Sequence, residues 1–193
     1  MLEIIKKDLP NFPDEIINVW LQPYAESDGW PPDMNTIRWT AVLFGKNVDF
    51  WKRVTWKKEI VNLREVSYCP QTIYTIQEMK AAYELGVKNS FKDLYEESGK
   101  QRHLNVLRFL CTNGHFPKPI CLLRQNDNKY SVVDGYHRLV AWTTHFKLQN
   151  ILSTNPNKLI LNDFMETVRN KWGIDRLVPF SENQEVWVAY KNQ

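Results

Sequence analysis

Between Tyr130 and Trp142 the hydrophobic period changes within a few residues, and that change constrains the fold more than any other stretch. Tyr130-Ser131-Val132-Val133 is β-branched and aromatic and reads as a short buried strand. Asp134-Gly135 breaks it at a pair suited to a tight turn, because glycine accepts backbone angles that other residues resist. Leu139, Val140, Thr143 and Phe146 then follow at helical spacing. A strand that enters a helix through one glycine gathers the first helical N–H groups around a point where the dipole favours an anion. His137 and Arg138 fall in that first turn. A cation there opposes the dipole, so Arg138 is expected to face a phosphate or a carboxylate.

The stretch upstream extends the pattern. A helix ending at Asn113-Gly114 leads to a strand at Pro119-Ile120-Cys121-Leu122-Leu123, and Gln125-Asn126-Asp127-Asn128 turns the chain back into the next strand. With Asp134-Gly135-Tyr136-His137-Arg138 this order resembles the ParB/sulfiredoxin-like superfamily, whose signature is a glycine, two variable positions and an arginine. The resemblance spans residues 117–142, or 60–147 on its wider reading. It implies an α/β (α+β) class with a small mixed sheet flanked by helices and, here, an N-terminal aromatic-rich extension. Residues 1–58 would be that extension, packed on a domain of residues 59–193 in one compact unit.

The resemblance also implies a chemistry. Gly135, Tyr136, His137 and Arg138 would hold the phosphates of a nucleotide (ATP, ADP or CTP) with magnesium. Asp134 and His137 would serve catalysis of phosphoryl transfer or hydrolysis, with Glu65 as the upstream catalytic glutamate by position alone. Tyr136 stands where sulfiredoxin has its cysteine, so sulfinic acid reduction is not expected. Partition proteins have Glu-Arg-Arg after the glycine, which this chain lacks. The free-serine-kinase branch, Asp-Gly-His-His-Arg, differs only at Tyr136. A member of the family that only contacts proteins is a further alternative.

Residues 36–68 offer a different reading. Arg38, Lys46, Lys52, Arg53, Lys57, Lys58 and Arg64 interleave there with Trp39, Phe50, Trp51 and Trp56. Basic and aromatic side chains together suit a nucleic-acid backbone and its bases, so Lys52, Arg53, Lys57 and Lys58 are the candidate contacts of a ParB-like nucleic-acid binder or nuclease. The competing and favoured reading is a half-buried helix with Phe50, Trp51 and Val54 inside and its charges solvated. A net charge of +3 does not by itself demand a polyanionic partner.

No run approaches the ~18 apolar residues of a membrane helix and no apolar leader is evident, so a cytoplasmic protein is expected. The three cysteines and four histidines show no metal-type spacing, and no metal site is expected from them. Oligomeric state is open. Residues 1–35 carry seven acids against two lysines, with a short helix expected over Asp14–Leu21 and a loop at Ser27–Pro32. Phe12, Trp20, Tyr24 and Trp30 are costly to leave in water, so this segment should pack rather than hang free.

Further along, Ile60–Tyr68 reads as a strand. Thr75-Ile76-Gln77-Glu78 reads as a capping box starting a helix that ends near Gly86. Ser90 would cap a helix broken at Ser98-Gly99. Gln101–Cys111 is amphipathic, with Arg102, Asn105 and Arg108 outward. Asn155-Pro156-Asn157 is a turn, Asn162 an N-cap for 163–171, and Gly173 its stop. Glu185–Tyr190 alternates as a strand.

Overall fold

The computed structural model describes residues 1–85, 97–154 and 157–191. The chain divides into two compact units, one of 1–69, 118–134 and 185–193, the other of 70–117 and 135–184. The expected Gly86 stop, the Ser90 cap and Asn155-Pro156 lie outside the described residues.

The first unit is built on a four-stranded mixed sheet, so the fold class is α+β. Its strands are β1 (Val54–Asn62), β2 (Ile120–Arg124), β3 (Tyr130–Asp134) and β4 (Asn183–Lys191), in the order β1-β4-β2-β3. β2 and β3 form an antiparallel hairpin whose turn is closed by Gln125 N–H to Lys129 O at 2.8 Å, with Asn128 at φ +61°. β4 runs parallel to β2, with Ile120 opposite Val186 and Leu122 opposite Val188.

Short helices cover one face of this sheet: α1 (Leu2–Asp8), α2 (Asp14–Ile16), α3 (Gln22–Asp28), α4 (Ile37–Val42) and α5 (Val48–Trp51). α2 and α3 are joined through one π-helical stretch, Ile17–Leu21, so the helical path continues past the expected end at Leu21 to Asp28. Phe12, Trp20, Trp51 and Trp56 pack against Cys121, Leu123, Val133 and Ala189 of the sheet. Trp20 meets Trp51 edge-on at 5.0 Å, and Trp51 lies parallel to Trp56 at 6.3 Å and 10°. The cluster is joined by Asn11, whose side-chain amide donates to Trp51 O at 2.9 Å and Val54 O at 2.8 Å.

Two expectations for this region are corrected. The helix at 48–51 is one turn long, and Val54 starts a strand, not its continuation. Burial of Val54 and Trp56 with Thr55 and Lys57 exposed is the two-residue period of a strand. The strand expected at Ile60–Tyr68 therefore lies earlier, at Val54–Asn62. Beyond it the chain turns, and Tyr68 makes only an isolated parallel bridge to Tyr130.

The second unit is helical: α6 (Pro70–Leu85), α7 (Glu97–Asn113), α8 (Tyr136–Thr154) and α9 (Lys158–Trp172). Leu107, Leu110 and Cys111 of α7 are buried, as are Leu139, Val140, Ala141 and Leu148 of α8. Burial pushes the Cys111 thiol up to about 12, which fits a core thiol. α6 begins at Pro70, where a missing N–H costs a helix nothing. Thr75 is therefore no cap. Its hydroxyl donates back to Gln71 O at 3.0 Å inside the helix.

α7 passes through Gly99 without the expected break. Arg108 is not solvated either: its Nε donates to Trp172 O at 2.6 Å. α9 begins five residues before its expected cap. Asn157, not Asn162, accepts from the Leu159 amide at 3.0 Å and the Ile160 amide at 3.5 Å. Gly173 ends α9 in the left-handed conformation, as its position predicts.

Candidate anion site at the start of α8

Gly135 takes φ +109°, a backbone conformation that a side chain would disfavour. The first α8 bond is Leu139 N–H to Gly135 O at 3.0 Å. The helical geometry therefore leaves the amides of Tyr136, His137 and Arg138 without an intrahelical acceptor. The helix behind them runs nineteen residues, and its first turn, Tyr136-His137-Arg138-Leu139, holds no carboxylate. Arg138 is 8% exposed. An arginine buried at the positive end of a helix raises the local potential where the dipole is already positive.

Two further helices bring groups to this turn. Tyr83 of α6 stacks on His137 at 5.6 Å and on His103 of α7 at 4.8 Å, with interplanar angles of 24° and 21°. His137 Nδ1 is sealed from solvent with no hydrogen-bond partner. Burial first, then the charges of Arg102, His103 and Arg138, hold the His137 pKa down to about 3. Among the described residues every charge acting on His137 is positive. The imidazole is thus neutral at physiological pH and reports a positive field that nothing acidic offsets.

The other expected residues are distributed as follows. Tyr136 is half-buried, its hydroxyl 3.4 Å from Thr72 Oγ1. Asp134 ends β3, in register with Cys121, and belongs to the first unit. Glu65 is exposed in the turn after β1, also in the first unit, with its amide donating to Asn62 O at 3.0 Å. Among the described residues no group of three or more His, Cys, Asp and Glu is arranged to hold a metal ion. A magnesium ion would have to arrive on the phosphates of a nucleotide, which is how magnesium is commonly held.

The basic segment has a different character from the one its composition suggested. Trp39, Trp51 and Trp56 are buried, so the tryptophans that would stack on bases are core residues. Lys52 Nζ pairs with Asp49 at 3.1 Å, and Arg53 Nε donates to Asp49 O at 3.2 Å. Lys57 lies over the Tyr190 ring at 5.3 Å. Lys58 Nζ is 3.1 Å from both Glu185 and Glu15, whose hydrogen bonds raise its pKa.

Tyr83, Arg102 and His103 were not singled out as site residues by sequence reasoning. They lie on helices 30 to 50 positions away in the chain, and no local motif ties them to Gly135. Among the described residues no helix is long and apolar enough to cross a membrane. Compared with protein-family models, with curated proteins and with solved structures, the chain shows no match.

Proposed function

We propose that this protein binds a phosphate-bearing ligand, a nucleotide, at Gly135–Arg138, and acts on it by phosphoryl transfer or hydrolysis in the manner of a distant ParB/sulfiredoxin-like protein. The observation that carries the reading is the uniformly positive field on His137 at the start of a long helix. The amides of Tyr136 to Arg138 would donate to phosphate oxygens, and Gly135 would let the ligand approach the backbone. Arg138 would add charge-assisted hydrogen bonds. His137, neutral in the free protein, would gain a proton as phosphate charge arrives and so neutralise part of it.

Titration calorimetry with ATP, ADP and CTP, with and without magnesium, tests the binding. Saturable binding of one of them is expected, together with a rise in the His137 pKa followed by NMR. Arg138→Ala should weaken binding roughly tenfold to a hundredfold, the worth of hydrogen bonds to a charged group. Arg102→Ala, at an exposed position, should weaken it less and leave the fold intact. Silence from all three nucleotides under both conditions would sink the reading.

A further inference from the structure

Further along α8, away from the turn, the second unit contains a cavity of about 120 Å³ that is open on one side. Its wall includes Trp142, His145, Phe146 and Gln149 of α8 with Phe180 and Glu182 from the segment that follows α9. The positions on α8 fall at i, i+3, i+4 and i+7, so one helical face supplies most of the wall. Trp142 and Phe146 face the space as a tilted pair, centroids 6.1 Å apart, and Phe180 meets the His145 ring edge-on at 5.9 Å. The volume equals that of about four waters and is well below the ~300 Å³ at which pockets for drug-sized ligands begin.

The charge on this wall is one-sided. It holds three aromatic rings and one carboxylate, with no lysine or arginine. His145 is 1% exposed, and burial lowers its pKa, so it adds no positive charge at neutral pH. An anion would meet Glu182 with nothing to offset it. A cation would meet the negative faces of aromatic rings, and Glu182 would supply the counter-charge that a partly desolvated ammonium requires.

The geometry points to a site for a methylated ammonium group, caged by Trp142, Phe146 and Phe180 and neutralised by Glu182. The size fits a trimethylammonium head with its substituent leaving through the open side. The inference does not rest on the anion site proposed at the start of α8, since it uses different residues and a ligand of opposite charge.

The test uses the full chain and three probes: tetramethylammonium chloride, the neutral isostere 3,3-dimethylbutanol, and sodium chloride as an ionic-strength control. Binding is followed by NMR shifts of the Trp142 indole and His145 ring. Tetramethylammonium should shift both saturably, the neutral isostere should bind at least about tenfold more weakly, and sodium chloride should do neither. Glu182→Gln should remove most of that discrimination. Phe180→Leu, at a half-buried position outside any helix, should weaken tetramethylammonium while leaving the melting temperature close to that of the parent. Equal binding of the neutral isostere would make this a plain apolar pocket and overturn the proposal. No saturable shift with tetramethylammonium would overturn it as well.

Discussion

The Tyr83 ring lies nearly parallel to the His137 imidazole at 5.6 Å and 24°, covering it so that protonation must occur against a wall of cations and apolar surface. In the unfolded chain His137 would accept a proton near its ordinary 6.5, whereas in the folded protein it does so only at about 3. Arg102 and His103 on α7 and Arg138 on its own helix act in the same direction as burial. Between those two pH values the unfolded state holds more protons, so stability rises with pH there. It should be complete above 6.5 and fall as the pH drops towards 3. The same sign holds for His145, whose pKa is also lowered. Urea midpoints at pH 7.5, 6 and 5 check this. His137→Gln should flatten the acid limb, and an unchanged slope would contradict the account.

The start of α9 separates two capping residues. Asn157→Ala removes the side chain that accepts from Leu159 and Ile160 and should cost about 1 kcal/mol. Asn162 lies inside the helix and is exposed, so Asn162→Ala should change stability by no more than about 0.5 kcal/mol. Chemical denaturation of the two variants side by side measures the difference.

Glycines with positive φ differ in the room around them. A Cβ on Gly45, at φ +64°, would meet nothing within 4 Å, so Gly45→Ala should cost only the conformational strain of about 1–2 kcal/mol. A Cβ on Gly114, at φ +70°, would come within 2.5 Å of Pro179 O and 3.2 Å of Val178 Cγ1. The first of these is backbone and cannot swing aside, so Gly114→Ala should cost clearly more than Gly45→Ala. Thermal melts rank the pair.

Trp51 is wholly buried among Phe12, Trp20 and Trp56. Trp51→Ala should destabilise by about 3–5 kcal/mol, a large share of the stability of any domain. Lys52→Ala next to it should stay within about 0.5 kcal/mol, because its only ion pair is exposed. If Lys52→Ala instead abolished salt-dependent binding to single-stranded nucleic acid, the basic segment would regain the role that its buried tryptophans now argue against.

What could be read from the sequence was what is encoded locally. The β2–β3 hairpin, the glycine entry into α8 and the alternation in β4 each depend on neighbours in the chain. β1 was misplaced because Trp56-Lys57-Lys58-Glu59 hides a period of two behind charge, while Val61, Leu63 and Val66 imitate it further on. Thr75 was taken for a cap because the threonine-to-glutamate spacing is the same inside a helix as at its start. Arg138 and Gly135 were visible as candidates from the dipole argument alone. Tyr83, Arg102 and His103 were not, since their meeting with His137 depends on how α6, α7 and α8 pack.

β4 lies between β1 and β2, yet of these three strands it is the last in the chain. During synthesis β1 and the β2–β3 hairpin therefore emerge without the strand that joins them. Each presents an open edge until residues 183–191 have left the ribosome. The tryptophan-rich helices can collapse early on local contacts, but the sheet beneath them cannot close in the same order. Such a chain depends on its late strand to complete the fold, and nascent chains stopped before residue 183 should be the ones most readily bound by chaperones or degraded.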